Sequence, residues 1–128
     1  IIDRIDMWIE VPPVEHAKLS SVDDGEPSAV VAERVSGARR VQLERYADTK
    51  IRKNSDLGPK DIGKFANMST EATETLNTAA MKLDLSGRGY HRIIKLARTI
   101  ADLERAEVIQ PAHVLEAVQY RSKGFVAR

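Results

Sequence analysis

Residues 86–101, Ser-Gly-Arg-Gly-Tyr-His-Arg-Ile-Ile-Lys-Leu-Ala-Arg-Thr-Ile-Ala, decide how this chain is read. Tyr90, Ile93, Ile94, Ala97, Ile100 and Ala101 recur at helical spacing, so the stretch predicts an amphipathic helix with one buried face. Ser86 stands where an N-cap belongs. Its first turns break local rules. Arg88 and Arg92 sit at the end where the helix dipole is already positive. Gly87 and Gly89 each cost up to about 1 kcal/mol against Ala within a helix. Orphan N–H groups, an arginine, a capping hydroxyl and glycines that permit close approach together describe an anion pocket. The competing reading is a basic face, Arg88, Arg92 and Lys95, that is simply solvated.

Working outward, helical patterns dominate. A helix is expected from about Ser28 to Tyr46 with Val31, Val35, Ala38 and Val41 inward, then a loop over 48–58. Pro59 is placed to open a short helix to about Ala66. Ser69 caps another to about Leu83, with Ala72, Leu76, Ala79, Ala80 and Leu83 inward. The Ser86 helix runs to about Arg105, and Pro111 opens a last one to about Arg121. Before these, residues 5–11 alternate: Ile5, Met7, Ile9 and Val11 on one face, Asp6, Trp8 and Glu10 on the other. That pattern is a strand, stopped by Pro12-Pro13. An isolated strand is not stable, which places its partners outside the sequence. Residues 14–27 read as a polar connector. The expected fold is mainly α: a bundle of four to five helices preceded by one N-terminal β-strand.

Composition narrows the chemistry. The 128 residues include no cysteine, which removes disulfides, thiolate metal sites and a cysteine nucleophile. No apolar run spans a membrane and no signal-peptide pattern is present, compatible with a cytoplasmic protein. The formal net charge of +1 conceals an asymmetry: residues 1–27 carry −5 and residues 28–128 carry +6. The basic excess is densest from Arg34 to Lys53. Arg39, Arg40 and Arg45 are candidate nucleic-acid contacts there, although no aromatic side chain that could stack on bases lies among these basic residues before Tyr46. A solvated helix face is the plainer account. Gly58–Phe65 nearly matches a phosphate-binding loop but has Phe65 where a hydroxyl is required, and Pro59 removes a donor. His16, His91 and His113 lack ligand spacing, so no metal site is expected. Neither a nucleophile elbow nor a carboxylate pair stands out.

The ordered segments have a family likeness. Ile1-Ile2-Asp3-Arg4-Ile5-Asp6, Glu10-Val11-Pro12, Gly25-Glu26-Pro27-Ser28, the helix bearing Arg39 and Gln42, Leu83 to Arg92, Ala97 to Leu103 and Glu116 to Arg121 follow in order. Together they resemble the C-terminal part of a magnesium-chelatase-like AAA+ ATPase of the ComM, competence-related, type. The resemblance implies a ring, usually a hexamer, with ATP between neighbouring subunits. Residues 1–27 would be the last core strand and connector, and 28–128 a helical lid. It implies that Arg4 is an arginine finger and that Arg88 and Ser86 bind nucleotide, Arg88 as the lid's sensor arginine for the γ-phosphate. Arg92 and Arg98 either support that site or pair with Asp102 or Glu104.

Walker motifs are absent from the sequence, and it opens on Ile rather than Met. A piece of a longer protein is therefore expected, with ATP and Mg²⁺ in the whole and neither cofactor nor catalysis in this part alone. Partners would be its own upstream core, neighbouring subunits and DNA. The alternative is a non-catalytic helical module binding DNA or a protein through the basic 34–53 region.

Overall fold

The structure, a computed structural model, describes residues 4–13, 15 and 25–121. Five α-helices are formed among them: α1 (Ser28–Arg45), α2 (Pro59–Phe65), α3 (Thr70–Leu83), α4 (Gly87–Leu103) and α5 (Pro111–Gln119), with a 3₁₀ turn at Asn54–Asp56. The mainly helical fold is as expected. Residues 5–11 form no strand, because the described chain supplies no ladder for them to join. They run without regular secondary structure past the end of α5, held by the Trp8 amide donating to the Tyr120 carbonyl at 2.7 Å. Most of the expected connector, residue 14 and residues 16–24, lies outside the described residues.

α4 is the axis of the domain. Ile93, Ile94, Ala97, Ile100 and Ala101 are buried on one face, as their spacing predicts. Around them pack Leu57, Ile62, Ala66, Leu76, Ile109, Val114 and Ala117 from the other elements. Ser69 caps α3, its hydroxyl accepting from the Ala72 amide at 3.0 Å. Pro59 and Pro111 open α2 and α5, positions that need no amide donor. The loops before α3 and before α5 join through one parallel bridge, Met68 with Ile109.

Two helix ends use non-glycine residues in the left-handed region. Asp84 (φ 50°) ends α3, and Arg105 (φ 60°) ends α4. After α4 the Ala106 amide bonds the Ala101 carbonyl at 2.8 Å and the Arg105 amide bonds Asp102 at 3.0 Å, a Schellman turn. Gly37 lets that turn come close to α1, since a Cβ there would lie 3.1 Å from an Arg105 guanidinium nitrogen.

α1 departs from expectation. Of its 18 residues only Gly37, Ala38 and Gln42 are buried. Val31 and Val35, expected inward, are exposed, and Val41 is half-buried. The helix is fastened at its C-terminal end, where buried Tyr46 meets Phe65 edge-on at 5.1 Å. Its N-terminal half has no cover from the described chain.

Candidate functional site

The expected anion pocket begins at Ser86, whose hydroxyl accepts from the Gly89 amide at 3.0 Å and starts α4. From there Arg88, His91, Arg92, Lys95 and Thr99 follow at helical spacing and line one open groove of about 800 Å³. Arg4 lines the same groove from the N-terminal segment, and Ser55, Leu57 and Pro59 form the opposite wall. The two arginines singled out in the sequence are therefore brought together, and both are exposed. Arg92 is bound by Asp6, with Nε 3.1 Å from the carboxylate, which ties the N-terminal segment to α4. Lys95 reaches the Ser55 carbonyl at 3.5 Å. Lys95, His91 and Thr99 were missed as groove residues, although their three- and four-residue steps from Arg88 and Arg92 were readable.

The glycines at this end are not required by internal crowding. A Cβ on Gly87 would meet nothing within 4 Å, and one on Gly89 would touch Ser86 Oγ at 3.4 Å. The near-match to a phosphate-binding loop is no loop at all. Helix α2 starts at Pro59, and the Gly58 amide is taken by Asp61 Oδ2 at 3.0 Å.

Behind the groove wall lies a buried polar cluster, of which the sequence offered only the Arg98–Asp102 pair as one of two alternatives. Asp102 is 1% exposed and accepts from two arginines. Arg45 donates Nη2 at 2.6 Å to one carboxylate oxygen and Nη1 at 3.0 Å to the other. Arg98, itself 1% exposed, donates Nε to Asp102 at 3.1 Å and its two Nη groups to the carbonyls of Glu107 at 2.9 Å and Ala106 at 2.6 Å. Asn54 completes the cluster. Its Nδ2 donates to Asp102 at 2.9 Å and to Thr99 at 3.0 Å, and its Oδ1 accepts from the Tyr46 hydroxyl at 2.6 Å. The Gln42 side chain accepts the Asn54 amide at 2.9 Å.

The two guanidinium groups on this one carboxylate are pushed in opposite directions. The hydrogen bond to Asp102 raises Arg45, whereas burial lowers Arg98. The difference follows from exposure: the Arg45 side chain is 17% exposed and keeps some water, and Arg98 at 1% keeps almost none. Burial also raises the Tyr46 hydroxyl, with Arg45 pulling the other way.

Arg45 thus occupies a structural ion pair, while Arg39 and Arg40 are exposed on α1. Arg98 takes the Asp102 alternative. His113 is structural too: Nδ1 accepts from the Gln110 amide at 2.9 Å, so Nε2 carries the proton toward Glu104 at 2.6 Å. Among the described residues no group of three or more His, Asp or Glu side chains could hold a metal ion, and no helix is long and apolar enough to cross a membrane.

Residues 25–121 match the family model for the C-terminal part of magnesium chelatase subunit ChlI. The chain belongs to this family. It is similar to the competence protein ComM of Haemophilus influenzae, with 41% identity over 122 residues, covering 94% of this chain and 23% of that protein. The uncharacterised proteins YifB of Escherichia coli and Salmonella typhimurium are 37% and 35% identical, with the same coverage of 94% and 23%. The chain thus spans about a quarter of the length of these relatives.

Proposed function

We propose that this chain is the C-terminal helical lid of a cytoplasmic AAA+ ATPase, residues 28–128, joined to a remnant of the ATPase core, residues 1–27. In this reading the whole protein binds ATP and Mg²⁺ between neighbouring subunits of a ring, a hexamer by family likeness, and the ring acts on DNA. The observation that carries it is the shared groove: Arg4 and Arg88 line one cationic cleft along α4 with Lys95, at a helix N-terminus that has no acidic residue in its first turn.

A guanidinium against a terminal phosphate stabilises the charge that develops as the phosphoryl group leaves. Arg88 is rigid at its backbone because Ser86 caps the turn beneath it. It reads the γ-phosphate and transmits its loss to the angle of the lid. Arg4, on the N-terminal segment fastened by Asp6 to Arg92, serves as the finger offered to a neighbour's nucleotide. Residues of the core, not of this chain's groove, would hold Mg²⁺, which would supply partial neutralisation of the phosphate charge.

The test is ATP hydrolysis by the full-length protein, with and without DNA, comparing wild type with Arg88→Ala. Loss of turnover by about 10²-fold or more with unchanged circular dichroism supports the reading, in line with the size of such electrostatic contributions. Unchanged turnover refutes it.

A second reading, a binding module working through the basic 34–53 region, is favoured by the exposure of Arg39 and Arg40 beside the uncovered half of α1. For DNA it predicts salt-sensitive binding by this chain that Arg39→Glu with Arg40→Glu abolishes. Arg45 is no part of that surface.

A further inference from the structure

A second groove runs between α1 and the 3₁₀ turn, on the far side of Ser55 and Thr99 from the first. Its volume is about 340 Å³. Val35, Ala38, Leu43 and Leu103 make an apolar floor, and Arg39, Arg52 and Lys53 stand around it. Its lining contains no acidic residue and no aromatic one. Val35 is 46% exposed and Leu43 59%, so this floor is open to solvent. Single exposed apolar residues are ordinary, but here two from one helix converge with Leu103 of another element into a continuous cleft. Among the described residues, Arg39, Arg52 and Lys53 are in no ion pair, whereas Arg34, Arg45, Arg92 and Arg98 each are.

We propose that this groove is a docking site for an acidic amphipathic polypeptide segment, one that sets apolar anchors on the Val35–Leu43–Leu103 floor and carboxylates against Arg39, Arg52 and Lys53. Charge complementarity selects the partner: Arg39, Arg52 and Lys53, against one nearby carboxylate, Asp56, whose oxygen accepts from the Arg52 amide at 3.2 Å, favour an anionic ligand and disfavour a cationic one. The floor selects polypeptide over nucleic acid. A phosphate backbone gains nothing from buried valine and leucine, and the lining offers no ring on which a base could stack. Beneath the floor the Gln42 side-chain oxygen is already engaged, accepting the Asn54 main-chain amide at 2.9 Å. Helix-in-groove recognition uses this combination of spaced apolar anchors and a charged rim. The inference sharpens the binding-module reading above and is independent of the nucleotide reading.

The probe is a fluorescein-labelled amphipathic peptide with leucines at i, i+3, i+4 and i+7 and glutamates elsewhere, followed by anisotropy. Its all-lysine counterpart is the control and a short DNA duplex the competitor. Val35, Leu43 and Leu103 methyl signals are followed by NMR. Expected are binding of the acidic peptide alone, shifts confined to those methyls, and weakening by about tenfold or more in both Leu43→Glu and Arg39→Glu. Leu43 is exposed, so its replacement leaves the fold intact, and circular dichroism verifies this. Arg88→Ala leaves peptide affinity unchanged, which separates this site from the nucleotide groove. No binding overturns the proposal. So does binding that tolerates Leu43→Glu, which would make the surface merely cationic, and so does displacement of the peptide by the duplex.

Discussion

Replacing Asp102 by Ala tests the physical account of this domain most directly. The carboxylate is buried and receives Arg45, Arg98 and Asn54, so its loss leaves one wholly buried guanidinium and one largely buried guanidinium without a counter-ion. Removing one partner of a buried pair costs about 3–5 kcal/mol, most of it from the charge left behind rather than from the bond lost. For a domain of about 100 residues, each kcal/mol lowers the midpoint by about 4–8 °C, so a fall of at least about 12 °C is expected. Thermal unfolding monitored by circular dichroism measures this fall, and urea unfolding measures the free-energy loss, with the wild-type slope retained. The triple replacement Arg45→Met, Arg98→Met, Asp102→Leu separates charge from packing. It removes all three charges together and recovers a large part of the loss. Recovery stays incomplete, because Arg98 also donates to the carbonyls of Ala106 and Glu107. A loss below about 1 kcal/mol in Asp102→Ala, the size of an exposed pair, would refute the reasoning.

Other outcomes follow from single contacts. Burial raises Tyr46, so its proton is held more tightly in the folded state; this stabilisation is complete below the unfolded value near pH 10 and lost as pH rises through the higher folded value. Unfolding midpoints measured from about pH 9 upward should decline, less steeply in Tyr46→Phe, and equal slopes would deny the assignment. Ser86→Ala removes the cap of α4 and should lower stability by about 0.5–2 kcal/mol in denaturant titrations. Gly89→Ala should raise stability by about 0.5–1 kcal/mol, since the added methyl meets only an ordinary contact at Ser86. If that glycine serves close approach from outside, the same variant of the full-length protein loses ATP turnover while gaining stability.

What was legible in the sequence was local. Caps at Ser69 and Ser86, prolines opening α2 and α5, and the buried stripe of α4 all depend on residues within a turn or two of each other, and the structure places them accordingly. Arg98 with Asp102, four residues apart, was within reach for the same reason. Arg45 was not. Its partner is 57 residues away, and nothing in a run of exposed arginines distinguishes the one that folds inward. Asn54 was hidden likewise, a loop residue whose contacts come from α1 and α4.

The misplaced face of α1 is more informative than the hits. Val31, Val35 and Ala38 do share a helical stripe, and such a stripe states that a face is suited to burial without naming what buries it. Within the described chain Ala38 is covered and the valines are not. An isolated helix draws little stability from propensity alone, so α1 depends on tertiary contact, which reaches it only at Gly37, Ala38, Gln42 and the Tyr46 end. The valines therefore form an apolar face that the described residues do not complete. The same logic applies to α4, which presents one face to the core and the other, with Arg88 and Lys95, to an open groove. Both helices carry a surface that the described residues do not cover, one cationic and one apolar with a basic rim. A lid joined to a larger assembly, as proposed above, would use surfaces of both kinds: one to sense a charged ligand and one to hold a neighbouring chain.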